Sequence, residues 1–436
     1  MVTTTKPPGT TGIEQFLLQT NMELLDKYIK THEYIKNRWK DGLKEKAHPD
    51  YPLPFPFEPP CVDGSFQCMF YWDTFYTNRG MILDEYVKFA KYNTDNLIYL
   101  LNKYGCVPNS NSYPGIKHNS QPPYLQYMIR DVYEMIHDEE WLKEAYYALK
   151  KEYEFWMNER MSPIGLNQHL HHKKTDEEKI EFYDYVCTRL DLDKNAPREF
   201  KIRAGSGFNA QGECGLDYSP RFKFDAVDMV EVDLNAHMFA MESYLAELAR
   251  KFQPFLEEFF IDRRNHRKEL MDKYLLKEDV LYYDYNFVKQ ETEQREFNYT
   301  GQFVPFIVGL SKDKKALKHL LANVEFDYGI ASTGKYVSNL EYQAAYPYSF
   351  PYDNGLAFWA LTKVGLKEEY ERVGKKYLEM CSNSYVKDNH LWEAYDATKP
   401  GRAEKKEYPN TEMLGWTAGI YQWIYYFLFE GKKLSY

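Results

Sequence analysis

The feature that most constrains this chain is an alternation of long helix-period segments with short, aromatic-rich breaks. Ile13, Phe16, Leu17, Leu24, Leu25, Tyr28, Ile29, Tyr34 and Trp39 recur at three- and four-residue steps, so residues 13–46 are expected to be helical. His48 through Pro60 follows, and its prolines remove donors and push their neighbours toward extended geometry. That stretch is expected to wrap the body as an ordered arm. Helical patterns then occupy about 79–104, 121–137, 139–160, 225–251, 254–275, 301–323, 354–363, 366–382 and 411–429. Strand signals are short, at about 279–283 and 324–330. Paired helices over this length predict an all-α toroid or solenoid, and no fixed-period repeat supports the solenoid. No glycine-rich phosphate loop follows a strand, which argues against Rossmann and P-loop enzymes.

Charge and composition narrow the function. The net charge is -10 over 436 residues. Phosphate binding wants a basic face, so a nucleic-acid partner is disfavoured. No apolar run reaches membrane-spanning length, so no membrane partner is expected. Residues 1–11 are polar with no apolar stretch, and the six cysteines are scattered without a CxxC pair. A cytoplasmic location is expected, in which the Asn298-Tyr299-Thr300 sequon is silent. Aromatic residues make up 17%, with 40 tyrosines. Tyrosine combines a flat apolar face with a hydroxyl, and sugars offer C–H faces and hydroxyls. The composition leans toward carbohydrate contact, although a tyrosine-rich core would read the same way.

The breaks at 61–76, 105–123, 203–222, 346–355 and 390–411 are rich in aromatics, Asn, Gln, Asp or Gly. In a toroid such loops converge on one face. The last of them leads into Lys406-Glu407-Tyr408-Pro409-Asn410 and then an aromatic helix through Trp416. A carboxylate on a loop held by a rigid helix is a common way to place a catalytic base.

Taken together, these breaks resemble the trehalase family, glycoside hydrolase family 37, and more loosely other inverting α-glycosidases on (α/α)6 toroids. Phe70-Tyr71-Trp72-Asp73-Thr74-Phe75 is similar to the end of the family's first signature. Tyr104 through Asn109 with Ser120-Gln121-Pro122-Pro123 resembles its Gly-x-Val/Ile-Pro-Asn and Ser-Gln-Pro-Pro pair. Arg203-Ala204-Gly205 and Glu213 through Phe222 resemble the block bearing the catalytic acid. Val232-Asp233-Leu234-Asn235 matches a further family segment, and Trp392 through Asp396 with Glu407-Tyr408 to Thr417 resembles the block bearing the base. The matches run in family order over about residues 60–428.

The resemblance implies an (α/α)6 toroid formed by residues 61–436, with residues 1–60 as a tail, helix and Pro-rich arm packed on it. It implies a glycosidase with Asp217 as general acid and Glu407 as general base. Inverting hydrolysis needs two such carboxyls about 6.5–9.5 Å apart. Burial, or a neighbouring charge such as Glu213, would raise the acid's pKa. The resemblance implies sugar contacts at Phe66, Tyr71, Trp72, Asp73, Asn109, Gln121, Arg203, Glu213, Gly215, Tyr352, Glu393, Tyr408 and Trp416. Trp72 would supply a stacking face, Asp73 a two-hydroxyl acceptor, Asn109 and Gln121 mixed donors and acceptors, and Arg203 a clamp. The mechanism needs no cofactor and no metal, and the implied partner is a small carbohydrate.

Departures from the family pattern bear on the leaving group. Ser65 and Asn119 stand at two family arginine positions, and Arg402 through Lys406 replaces a glycine-rich lid. A missing arginine removes a forked donor that serine cannot imitate. α,α-Trehalose is the first expected substrate. Glucosylglycerate or mannosylglycerate, another α-glucosyl oligosaccharide, and a sugar-binding protein without catalysis remain alternatives. His169, His171 and His172 alternate, but no carboxylate stands at ligand spacing, so a metal site is not expected.

Overall fold

The structure, a computed structural model, describes residues 12–112, 119–170, 174–293, 296–404 and 409–434, with backbone alone for 12–21. In chain order its helices are α1 (Gly12–Gly42), α2 (Tyr71–Leu83), α3 (Val87–Tyr104), α4 (Leu125–Ile136), α5 (Glu139–Glu159), α6 (Asp176–Leu190) and α7 (Arg198–Glu213). There follow α8 (Val232–Phe252), α9 (Glu257–Tyr274), α10 (Val304–Ile307), α11 (Lys314–Val324), α12 (Pro351–Val364), α13 (Lys367–Asp388) and α14 (Gly415–Tyr425). Helix α10 continues a 3-10 turn over Thr300–Phe303.

Packing closes α2, α4, α8, α10, α12 and α14 into a ring, each touching the next and α14 returning to α2. Outside it, α3 and α5 lie beside α4, α9 beside α8, α11 and α13 beside α12, and α1 against α13 and α14. This is an (α/α)6 toroid, with α6 and α7 added as a hairpin. The sequence explains the two layers. Every residue of α2 and of α14 is buried, so neither has a solvent stripe. A helix enclosed on all sides belongs to an interior. Outer α3 instead buries Ala90, Asn93, Thr94, Leu97, Leu100 and Leu101 at helical spacing.

The closest ring contact, α2 on α14, depends on glycine. A Cβ on Gly419 would fall 2.0 Å from the Tyr76 carbonyl oxygen. Arg79 then fixes the middle of the ring. Its guanidinium pairs with Asp131 of α4 at 3.0 Å and lies over Phe75, Trp359 and Trp423 at 4.3 to 4.6 Å. One buried cation thus touches four inner helices, and truncating either partner would strand a charge in the core.

Two small antiparallel sheets trim the loops. β1 (Met229–Val230), β2 (Tyr285–Asn286) and β3 (Glu291–Thr292) form one, and β4 (Tyr348–Ser349) with β5 (Tyr395–Asp396) the other. The Pro-rich arm packs on α3, where Asn96 accepts the Phe55 N–H at 3.1 Å and Asn93 accepts that of Glu58 at 3.1 Å.

The expected helix at 79–104 is two helices, α2 and α3, separated by a turn at Asp84–Tyr86. The break expected at 203–222 is largely helix α7, and α6 has no counterpart among the expected spans. Strand signals at 279–283 and 324–330 become single bridges, Leu276 with Tyr282 and Glu325 with Ile330. Among the described residues, no helix is long and apolar enough to cross a membrane.

Candidate active site

A cavity of about 410 Å³ opens where the N-termini of α2, α12 and α14 converge. The helix starts supply its aromatic floor: Trp72 from α2, Tyr352 from α12 and Trp416 from α14. Trp72 lies 4.7 Å from Tyr352 and 5.8 Å from Trp416 between ring centroids, and Tyr352 lies 5.5 Å from Trp416. Such a cluster presents C–H-binding faces that cannot swing away.

Polar groups enter from the loops around this floor. Gln121 accepts the Trp72 N–H at 3.1 Å, which locks its amide beside the indole. Asn109 is pinned through its backbone, donating to the Asn119 carbonyl at 2.8 Å and accepting from the Tyr71 N–H at 3.1 Å. Gly215 (φ +76) carries the chain across the Trp72 ring toward Asp217. Phe66 packs edge-on against Phe70 at 5.7 Å on the rim.

Among the described residues, three carboxyls line this space: Asp73, Asp217 and Glu393. Burial pushes Asp73 up to about 8, and the charges of Glu393 and Asp217 add to the effect. The site thus favours the protonated form of Asp73, which can donate as well as accept. Asp217 is less enclosed, its side chain 44% exposed. Glu393 is buried, its N–H bonded to the Thr411 carbonyl at 3.0 Å. Asn410 secures the same neighbourhood, donating to the carbonyls of Ala394 and Ala403 at 2.6 and 3.0 Å.

The cavity thus brings together Phe66, Trp72, Asp73, Asn109, Gln121, Gly215, Asp217, Tyr352, Glu393 and Trp416 from the sequence-based set. Three others stand elsewhere. Tyr71 is core: its hydroxyl donates to Glu152 at 2.5 Å and accepts the N–H groups of Tyr124 and Leu125. Arg203 is not among the described lining residues; its guanidinium is held by Asp225 and Asp228. Glu213 lies behind the cavity wall in a two-pronged pair with Arg160, both bonds 2.8 Å. It also accepts the Ser120 N–H at 2.9 Å, so it supports the loop bearing Gln121. Glu407 and Tyr408, with Lys405 and Lys406, lie outside the described residues, as do His171 and His172. Arg402 sits over the Trp392 ring at 4.5 Å and does not line the cavity.

Sequence reasoning missed Arg189, on α6. It lines the cavity, with its Nη1 3.7 Å from Asp217 and its Nη2 donating to Gln343 at 2.9 Å. An available signal was the capping box at Thr175 and Glu178, which marks the start of α6. Tyr185 and Gln343 also line the space and carry no sequence mark, while Phe350 and Met413 line it from segments the sequence had singled out. His169 is paired with Glu231 at 3.3 Å, and among the described residues no three His, Cys, Asp or Glu side chains cluster to hold a metal.

The family model described as Trehalase matches residues 6–427. A trehalase from Bombyx mori is 22% identical over 424 residues, covering 88% of this chain and 71% of its own length. A periplasmic trehalase from Pseudomonas aeruginosa is 25% identical over 398 residues, covering 85% of this chain and 70% of its own. Cytosolic neutral trehalases are among the relatives as well. The neutral trehalase structure from Saccharomyces cerevisiae superposes with a TM-score of 0.70 at 20% identity, over 89% of this chain and 78% of that one.

Proposed function

The chain belongs to the trehalase family of glycosidases, and from that premise we propose that it hydrolyses α,α-trehalose to glucose with inversion. The carrying observation is the convergence of Asp217, Asp73 and Glu393 on one cavity floored by Trp72, Tyr352 and Trp416. Asp217 protonates the glycosidic oxygen as the C1–O bond breaks. Glu407 takes a proton from the water that attacks C1 from the opposite face. Trp72, Tyr352 and Trp416 supply faces to the sugar rings, and Asp73, Asn109 and Gln121 meet hydroxyls. The scattered cysteines, without a CxxC pair, fit a cytoplasmic setting.

A carboxylated leaving group, as in glucosylglycerate or mannosylglycerate, is the second reading, and the Arg189 guanidinium in the cavity favours it. The test is release of the glycosyl sugar (glucose, or mannose from mannosylglycerate) followed by NMR over trehalose, kojibiose, nigerose, maltose, isomaltose, glucosylglycerate and mannosylglycerate. Trehalose should give β- and α-glucose in equal initial amounts, one inverted and one released unchanged. Cleavage of the carboxylated compounds alone would replace this reading with the second, and no release from trehalose would remove it.

A further inference from the structure

A second cavity of about 610 Å³ adjoins the first, and the two share Arg189 and Gln343. It lies between the C-terminal end of α6, Cys187 to Asp191, and the loop from Tyr336 to Tyr348. These walls are fixed by their own apolar cluster. Tyr183, Val186 and Leu190 of α6 pack with Phe208 of α7, Tyr218 and Tyr342. Moving outward from Asp217, the order is carboxyl, the Arg189–Gln343 hydrogen bond, and then the second cavity.

That order gives the second cavity a side. A general acid stands at the leaving oxygen, so space reached past Asp217 faces the leaving group and not the sugar attacked at C1. Its lining suits a sugar. Tyr336, Tyr346 and Tyr348 offer aromatic surface, and Ser338 and Asn339 offer a hydroxyl and an amide. Among its described lining residues, Asp191 and Glu341 stand against one cation, Arg189, which already has Asp217 and Gln343 beside it, a balance that favours a neutral ligand.

We propose that the second cavity binds a further neutral sugar unit on the leaving-group side, so that trehalose lengthened by one sugar on that side is held more tightly than trehalose itself. This rests on the assignment of Asp217 as the acid. The Arg189–Gln343 pair is the joint between the two spaces, its guanidinium and amide placed to hold the ring that spans them.

The test uses the full chain carrying Asp217→Asn, titrated by calorimetry with trehalose and with trehalose extended by one α-1,4-linked glucose. The trisaccharide should bind at least about fivefold tighter. Asn339→Trp, at an exposed position on the second cavity, should erase that gain while trehalose binding moves less than about twofold. Equal or weaker binding of the trisaccharide overturns the proposal, as does a gain that survives Asn339→Trp and Ser338→Trp. Trehalose hydrolysis by the unmodified enzyme is a separate readout. Its absence would count against the trehalase reading, while the titration still decides whether the second cavity holds a sugar.

Discussion

Gly215 lies so close against Trp72 that a Cβ there would stand 2.9 Å from the indole Cε2. Its φ of +76 is also one that side chains resist. The chain can therefore cross the ring face only as glycine, and Asp217 is two residues further on. Gly215→Ala must displace either the indole or the loop. Overpacking of this kind costs about 1–3 kcal/mol. The melting temperature should fall, and kcat/KM should drop at least about tenfold. A variant with unchanged kinetics would mean that the contact does not position the acid.

Asp217→Asn and Glu407→Gln are each expected to lower kcat by about 10²–10⁴-fold, the range for losing a general acid or base. For Asp217→Asn the fold should stay intact, since its side chain is 44% exposed. Kinetics on trehalose and thermal melts separate the two effects. Near-normal turnover in either variant would remove that residue from its role.

Asp73 predicts a pH dependence of stability. Its folded-state pKa is pushed up to about 8, above its unfolded value, by burial and then by Glu393 and Asp217. The folded chain therefore holds this proton more tightly than the unfolded one. The resulting stabilisation is complete below the unfolded pKa and is lost as pH rises toward 8. Asp73→Asn keeps the neutral shape without the titration. The melting-temperature difference, wild type minus variant, should fall between pH 5 and pH 8. A constant difference would show that Asp73 is ionised throughout.

Arg203 is a site residue by sequence order but not by position. Its guanidinium is engaged by Asp225 and Asp228 and its side chain is 41% exposed. A partly exposed pair contributes about 0–1 kcal/mol. Arg203→Ala should leave kcat/KM on trehalose within about threefold of wild type. A loss of a hundredfold or more would restore the clamp that sequence order suggests.

What could be read in advance follows from how each signal arises. Local periodicity reported α4, α5 and α13, because burial on a stripe imprints spacing on the chain. The split between α2 and α3 was invisible, because α2 is buried on every side and has no polar stripe to mark its start. Contiguous segments such as Trp72-Asp73 carried the site, since a helix N-terminus delivers neighbouring residues to one place. Arg189 was not legible. It reaches Asp217 across 28 positions, through a hairpin whose apolar cluster is assembled from α6, α7 and the 336–345 loop. Conversely, Arg203 matched by order, but one α-helical face points it at Asp225 and Asp228.

Arg160 and Glu213 give the sharpest test of the wall behind the site. Burial alone would raise Glu213, yet the Arg160 charge and its two hydrogen bonds hold it below the usual carboxylate range. Glu213 in turn bonds the N–H groups of Ser120 at 2.9 Å and Leu170 at 3.2 Å. Arg160→Leu leaves this carboxylate buried without its counter-charge, a loss that runs to about 3–5 kcal/mol. In the wild type the depressed pKa gives stability that is present above the unfolded pKa and lost as pH falls through the folded one. In the variant burial dominates, and protonation relieves the penalty. The deficit in urea unfolding should therefore be large at pH 7.5 and smaller at pH 5. Adding Glu213→Gln to Arg160→Leu should recover part of it at pH 7.5, because a neutral amide is less costly to bury. Trehalose KM should rise in the single variant, since Ser120 precedes Gln121 and the loop loses its tether. A deficit independent of pH, or a double variant no better than the single one, would mean that packing and not charge holds this wall.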